Sequence, residues 1–532
     1  MFNRDKKIFV FISLLLVRIP LSHIIGDNGL GFLSGPMEIY WCVLLLFGYG
    51  ITTSMAGMMR ERIKRDQIKN ADIIYSIGKK YILLISLLVL LIGILGFNFI
   101  GSRLLADAGS RMALFVATFA IVLGLINDLN IGFLIGTDNV KAAVLGELID
   151  AISIFVCIIL GAKLGSVYGT KIAALLQNEE VSAMYGAMGA MIGLCAGQFI
   201  ALIALVLMNI IYQRTFKHLI RTDISRRTEY NSDVIGQLAS GIVIDGLLAF
   251  LLQIPIIILL IMYRKHGISN GAEDVGAMVG AFYGKYLSIV GVLSALAVMP
   301  VAVSIKGIIV ATNDSDDQLA GERISRLFGR VMYSCIPTAI FVTMLVNPIV
   351  STLFEGRTTS VINALNIGCA VIVLYPLLYT FIAILNRLGY GKEMLFISAL
   401  AVVLTVISGI FLVRRGNLEL KGVTLVIMIE YTFITLFSLF ILIRNYRLHL
   451  RLLQQVVIPV VVSGVLGILI RLLAGLLFDT LGGVLTLAIC IIPAWLIYNL
   501  ICMFLRVVSV GAMEHKFLGR ILVRLGTNIG IY

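Results

Sequence analysis

The sequence predicts an all-α polytopic membrane protein with about 14 transmembrane helices. Three observations predict it. Sixty per cent of the 532 residues are hydrophobic, 13% are charged and the mean hydropathy is +1.03. That balance leaves too little polar side chain to clothe a soluble fold of this length. Runs of about 20 apolar residues, the length that crosses a bilayer as a helix, recur from end to end. Basic residues alternate in density between successive inter-run segments, as they do in chains that thread a membrane.

The runs fall at residues 8–26, 37–58, 81–102, 112–136, 143–163, 187–211, 236–263, 275–304, 331–354, 361–386, 393–413, 422–443, 456–477 and 482–505. The first follows Lys6-Lys7, as a signal peptide would, but it has no small-residue cleavage site and is interrupted by Arg18. It is therefore expected to stay as an anchor. Arg18 lies about ten residues in, roughly 15 Å deep at 1.5 Å per residue, near the middle of the bilayer. A charge there is costly and normally faces a hydrated cavity or a partner. Spans 1–6 (residues 1–211) form one expected lobe. The basic stretch 212–235 is the expected cytoplasmic linker, and spans 7–12 (236–444) form a second lobe. Residues 445–532 hold two extra spans and a cytoplasmic tail.

With the N-terminus inside and an even span count, the inner segments hold 29 of the 42 Lys and Arg, and the outer segments hold ten, Arg264 among them. Arg18, Lys285 and Arg471 lie within spans. This asymmetry places both termini in the cytoplasm and accounts for the net charge of +13 without nucleic acid. The basic loops are expected to meet anionic lipid.

Several classes are excluded. The seven cysteines all fall in apolar runs with no Cys-x-x-Cys spacing, which reads as packing by free thiols. The five histidines are scattered, so no metal signature exists. No nucleotide-binding glycine loop or nucleophile elbow appears. The expectation is a non-enzyme without cofactor, its transport coupled to Na+, H+ or the membrane potential.

A weak internal echo supports two lobes related by a pseudo-two-fold axis. Gly31-Phe-Leu-Ser-Gly35 opens span 2, Gly276-Ala-Met-Val-Gly280 opens span 8, and each follows an expected loop with Asn-Gly (Asn28-Gly29, Asn270-Gly271). Paired repeats with cargo held at midplane between them are one transporter architecture. The plainer reading of such glycines is close helix packing. Lys285 in span 8 and Asp245 in span 7 lie at a depth similar to that of Arg18. These three are expected to face one cavity, or else Asp245 neutralises Lys285. Asp245 and Glu430 in span 12 are the candidates for ion coupling. Asp128 in span 4 lies nearer the cytoplasm. Glu147 and Asp150 in span 5, three apart on one helix face, are expected to meet basic loop residues. Arg471 is expected to snorkel. Arg18 and Lys285 exceed what nearby acids obviously neutralise, and a pyrophosphate suits them. Arginine grips phosphate oxygens through two donors, whereas lysine acts as a point charge.

The string Arg18-Ile-Pro-Leu-Ser-His-Ile-Ile-Gly26-Asp-Asn-Gly-Leu-Gly31 resembles the first-span signature of the polysaccharide-transporter and sporulation stage V protein B family. That family belongs to the multidrug/oligosaccharidyl-lipid/polysaccharide (MOP) flippase superfamily and is related to MurJ-type lipid II flippases. Gly50-Ile-Thr-Thr-Ser-Met-Ala-Gly-Met-Met resembles its span-2 end, with Thr52 where proline is usual. Ala297-Val-Met-Pro300-Val-Ala-Val-Ser304 resembles its span-8 end. The resemblance implies two six-helix lobes and alternating access. It implies an undecaprenyl-pyrophosphate-linked glycan, either a polysaccharide repeat unit or a peptidoglycan precursor, flipped from inner to outer leaflet of the bacterial plasma membrane. It also implies cavity-facing basic residues in spans 1 and 8, where Arg18 matches in kind and Lys285 keeps the charge. The sodium site of some MurJ-type proteins maps onto Asp245 but finds no acid in span 11 beyond its first residue, Glu393. Partners implied are glycosyltransferases or a polymerase of the same pathway, with the flippase itself a monomer. The alternatives are a cation-coupled multidrug exporter of the same superfamily, which commonly carries an acid in span 1 that this chain lacks, and a membrane scaffold in envelope assembly.

Overall fold

The computed structural model describes residues 8–223, 229–272, 274–298, 301–313, 317–356, 358–414, 418–505 and 507. The described residues are helical almost throughout and contain no strand. In order the helices are α1 (Ile8–Ile24), α2 (Gly26–Lys64), α3 (Ile68–Leu104), α4 (Ala108–Gly136), α5 (Val140–Leu176), α6 (Glu180–Thr222), α7 (Asn231–Ser269) and α8 (Val275–Val298). They continue as α9 (Val301–Asn313), α10 (Asp317–Met344), α11 (Val346–Leu353), α12 (Thr358–Gly368), α13 (Val371–Arg387), α14 (Gly391–Leu412), α15 (Leu420–Asn445), α16 (Leu453–Leu481) and α17 (Gly483–Phe504).

Among the described residues, twelve helices are long and apolar enough to cross a membrane. A thirteenth span forms if α12 and α13, bent by 53°, count as one. The remaining expected span, α1, is a shorter apolar helix. Its regular α-helix is interrupted at Val17. Pro20 explains the interruption, because it lacks the N–H that would bond the Leu16 carbonyl. The expected loop between spans 1 and 2 is not one. Gly26 (φ +66°) turns the chain within a single residue, and Asn28-Gly29 is already helical. By contrast, Asn270-Gly271 is a true turn, with Gly271 at φ +66°. The left-handed conformation required at both turns is one that glycine adopts at no steric cost. The span-8 end motif lies partly outside the described residues, as do the C-terminal tail and part of the linker.

The chain is apolar on its outside. Leu83, Leu87, Leu91 and Leu95 along α3 are all more than half exposed. Lipid is the solvent that tolerates such a stripe. Inside, small residues bring backbones together. Along α5 and α6, Gly161, Gly165, Gly189 and Gly193 each leave no room for a Cβ against the facing backbone, as expected where packing replaces hydrophobic driving force. The seven cysteines are free thiols.

Backbone contacts divide the chain into two compact units. The first comprises residues 1–288 and 389–430, the second 289–388 and 431–532. These boundaries fall inside α8, between α13 and α14, and inside α15, not at the expected linker. The first unit thus gathers α1–α7, the start of α8, α14 and the first part of α15. In the second, α10 packs against α13 and α16, and α16 against α17. Its Tyr333 and Tyr498 rings lie 5.3 Å apart.

Candidate functional site

The first unit contains a buried charged network built on four elements. α1 delivers Arg18 and α2 delivers Asp27 and Glu38. α7 delivers Gln253, and α8 delivers Tyr283 and Lys285 from a single π-helical turn, Phe282–Tyr286. Such turns add a residue to the helix and recur at functional sites.

The Arg18 guanidinium donates through Nη1 to the Tyr283 carbonyl (3.2 Å) and pairs through Nη2 with Glu38 Oε1 (3.2 Å). It also lies 3.7 Å from the centre of the Tyr283 ring, close enough for cation–π attraction. Its Nε has no hydrogen-bond partner among the described residues. The second Glu38 oxygen accepts from Gln253 Nε2 at 2.6 Å. Two residues past Tyr283, Lys285 is fully buried and pairs with Asp27 at 2.8 Å. The expected excess of positive charge is therefore corrected. Arg18 and Lys285 each face a carboxylate, one from either end of the glycine-rich opening of α2.

Glycines make this geometry accessible. A Cβ on Gly31 would strike the Gly276 carbonyl, and one on Gly280 would strike the carbonyl of Asp27. Three of the four glycines read from the sequence, Gly31, Gly276 and Gly280, thus lie together and bring α2 into backbone contact with α8. Further along α2, Gly50 and Gly246 allow the same approach to α7. Beyond them Arg62 on α2 pairs with Glu229 at 2.7 Å and reaches Gln237 at 3.1 Å.

Arg264, expected in an outer segment, is instead buried within α7. It pairs with Asp107 at 2.5 Å and donates to the Gly31 carbonyl at 3.0 Å. Burial pushes the Asp107 carboxyl above the ordinary carboxylate range, with Arg264 and the backbone at Ser110 and Gly109 pulling it partly back. A carboxyl that holds its proton more tightly folded than unfolded adds stability at low pH, and that stability is lost as pH rises through the window just above the ordinary range. Asp107→Asn is expected to remove this decline, as read by thermal unfolding of the purified protein at mildly acidic to neutral pH. An unchanged profile contradicts the assignment.

The other candidates lie apart from the Arg18–Glu38 pair. Asp245 is half-buried on α7, eight residues before Gln253, which is about 12 Å of helix rise. Glu430 is buried on α15 and accepts from Thr405 of α14 at 3.2 Å. Asp128, Glu147 and Asp150 line a cleft with Tyr40 and Gln198. Thr52, at the proline position of the resembled motif, donates to the Asp128 carbonyl at 2.9 Å while α2 runs on unbroken to Lys64. Arg471 lies on α16, in the second unit and largely exposed. No group of three His, Cys, Asp or Glu among the described residues is arranged to hold a metal.

Sequence reading missed Glu38, Asp27, Gln253, Tyr283, Arg264 and Asp107. Glu38 carried a signal, since it is an acid within the second apolar run.

No family profile and no curated protein matches the chain. Solved structures do match its fold. The lipid II flippase MurJ, in an inward closed conformation, aligns with a TM-score of 0.57 at 13% identity, over 93% of this chain and 97% of that one. An inward-facing multidrug resistance MATE family transporter of the MOP superfamily aligns at 0.52 and 14%, over 81% and 98%. A MOP superfamily transporter from Pyrococcus furiosus, described as having a binding pocket of reversed polarity, aligns at 0.51 and 14%, over 84% and 97%. The chain has the polytopic fold of MOP superfamily transporters.

Proposed function

We propose that this chain, folded as MOP superfamily transporters are, flips a polyprenyl-pyrophosphate-linked oligosaccharide from the inner to the outer leaflet of the bacterial plasma membrane. Both termini are cytoplasmic in this reading. The observation that carries it is the buried pair of cations, Arg18 and Lys285, gathered at one π turn. Two intramembrane cations at one turn suit a dianionic headgroup. Because Glu38 and Asp27 neutralise them here, the cargo binds by exchange. Pyrophosphate oxygens replace carboxylate oxygens on Arg18, and the Arg18 Nε–H is already available to them. The displaced Glu38 keeps its Gln253 hydrogen bond, so the exchange leaves it with one donor. The glycan rides in the bundle while the polyprenyl chain stays in lipid.

The exporter reading has one observation in its favour, the cleft of Asp128, Glu147 and Asp150, which suits a coupling cation. A single assay separates the two. Full-length protein in proteoliposomes is given a fluorescent oligosaccharide on polyprenyl pyrophosphate in one leaflet, or a fluorescent organic cation in the lumen. Transfer of the lipid between leaflets well above protein-free vesicles is expected. Efflux of the cation driven by a Na+ or H+ gradient, with no lipid transfer, overturns the proposal.

A further inference from the structure

Glu38 and Arg264 are the two ends of one cleft. Its walls are Ser34, Gly35 and Glu38 on α2, Ile257, Leu260, Ile261 and Arg264 on α7, and Leu105 from the loop between α3 and α4. The spacings are those of single helix faces. Gly31, Ser34, Gly35 and Glu38 follow an i, i+3, i+4, i+7 stripe on α2. Gln253, Ile257, Leu260, Ile261 and Arg264 follow the matching stripe on α7. The stripes begin and end on polar contacts. Gln253 holds Glu38 at one end, and Arg264 holds the Gly31 carbonyl at the other. Between Gly31 and Glu38 the helix rises about 10 Å, and apolar side chains line the α7 side of the interval.

The segment 105–107 closes the Arg264 end. Leu105 packs onto Gly35, where a side chain would collide with it. Asp107 takes the Arg264 guanidinium. Between them Ala106 sits at φ +51°, a left-handed conformation that costs a residue with a Cβ and is kept where surrounding contacts demand it. The demand here is that one neighbour points into the cleft and the other reaches Arg264. A buried ion pair is a poor device for stability alone, since apolar residues of similar volume serve as well or better.

We propose that Arg264 is a second anion seat on the cargo path, that Asp107 occupies it in this conformation, and that it receives the phosphate groups after they leave Arg18. The proposal rests on the flippase reading above and assigns Arg264 a role that reading does not contain. In the proposed orientation this end of the cleft is the outer one. A phosphate group arriving there exchanges with Asp107 as it exchanged with Glu38 at Arg18, and departure of the 105–107 segment also withdraws Leu105 from Gly35.

The test measures binding of inorganic pyrophosphate to the full-length protein in detergent by calorimetry. Asp107→Asn frees the Arg264 fork with almost no change of shape and is expected to bind pyrophosphate about tenfold more tightly than the unsubstituted protein. The gain is expected to persist in Arg18→Ala/Asp107→Asn and to vanish in Asp107→Asn/Arg264→Gln. Asp107→Ser, carried in parallel, gives the same reading if the asparagine variant does not fold. An unchanged affinity in Asp107→Asn or Asp107→Ser overturns the proposal, as does a gain that survives Arg264→Gln. Failure of the flippase reading looks different. There the lipid-linked cargo is not moved and Arg18→Ala alone leaves pyrophosphate binding unaltered.

Discussion

Arg18→Ala is expected to abolish flipping and to destabilise the protein at once, because the substitution removes a cargo contact and orphans a buried carboxylate. Glu38 is 2% exposed and would keep Gln253 as its donor but lose its counter-ion. Breaking a buried pair from one side costs about 3–5 kcal/mol. That loss alone would make a transport defect uninterpretable. The double substitution Arg18→Ala/Glu38→Gln separates the two effects, since a neutral amide has no charge to strand. Its thermal midpoint is expected to recover most of what the single substitution loses, while flipping stays absent. Losing a charge-assisted contact to phosphate is worth about 1.5–3 kcal/mol, or roughly 10- to 150-fold in the affinity for the headgroup. Glu38→Gln alone is expected to bind pyrophosphate more tightly than the unsubstituted protein. Flipping by the double variant at the unsubstituted rate would remove Arg18 from the mechanism. A double variant no more stable than Arg18→Ala would show that the ion pair is not what Arg18 contributes to the fold.

The need for that control was not legible in the sequence, and the reason is instructive. Hydropathy locates apolar runs, and it placed Arg18 and Lys285 within spans without difficulty. It does not locate helix ends. The apolar run before Arg264 stops at residue 263, whereas α7 continues to Ser269, so a buried guanidinium reads as a loop charge. Likewise Asp27 reads as a loop residue because the second run starts at 37, although the helix starts at Gly26. Both errors arise because helices here extend past their apolar cores and carry polar residues into contacts with other helices. The partners themselves are long-range. Lys285 and Asp27 are 258 positions apart, and Arg264 and Asp107 are 157 apart. No local spacing encodes such pairs. Glu38 is the exception, an intramembrane acid whose cost alone marked it as a partner for a buried cation. The contact-based units also depart from the six-plus-six lobes, because glycines at 31, 50, 246 and 280 let α7 and the start of α8 pack on α2.

Gly280→Ala is expected to be severe and Gly276→Ala harmless, although the two glycines belong to one four-residue repeat. A methyl at 280 would meet the backbone of Asp27 and Gly31, neither of which can turn aside as a flexible side chain does. A methyl at 276 meets nothing within 4 Å. Overpacking at a rigid contact costs about 1–3 kcal/mol. At 280 the shifted residue is Asp27 itself, so the Lys285 ion pair is strained by the same displacement. At 276 the change exchanges a flexible helix residue for the best helix former, a gain of about 0.5–1 kcal/mol. Thermal unfolding of the two single variants should therefore move in opposite directions, with lipid transfer reduced only in Gly280→Ala. Gly31→Ala should follow Gly280→Ala, because its methyl would strike the Gly276 carbonyl. Gly276 thus matters for the carbonyl it presents, which alanine also presents, and Gly31 and Gly280 for the side chains they lack. Equal effects at 276 and 280 would mean that the repeat acts through helix flexibility and that α2 and α8 do not touch in the way described.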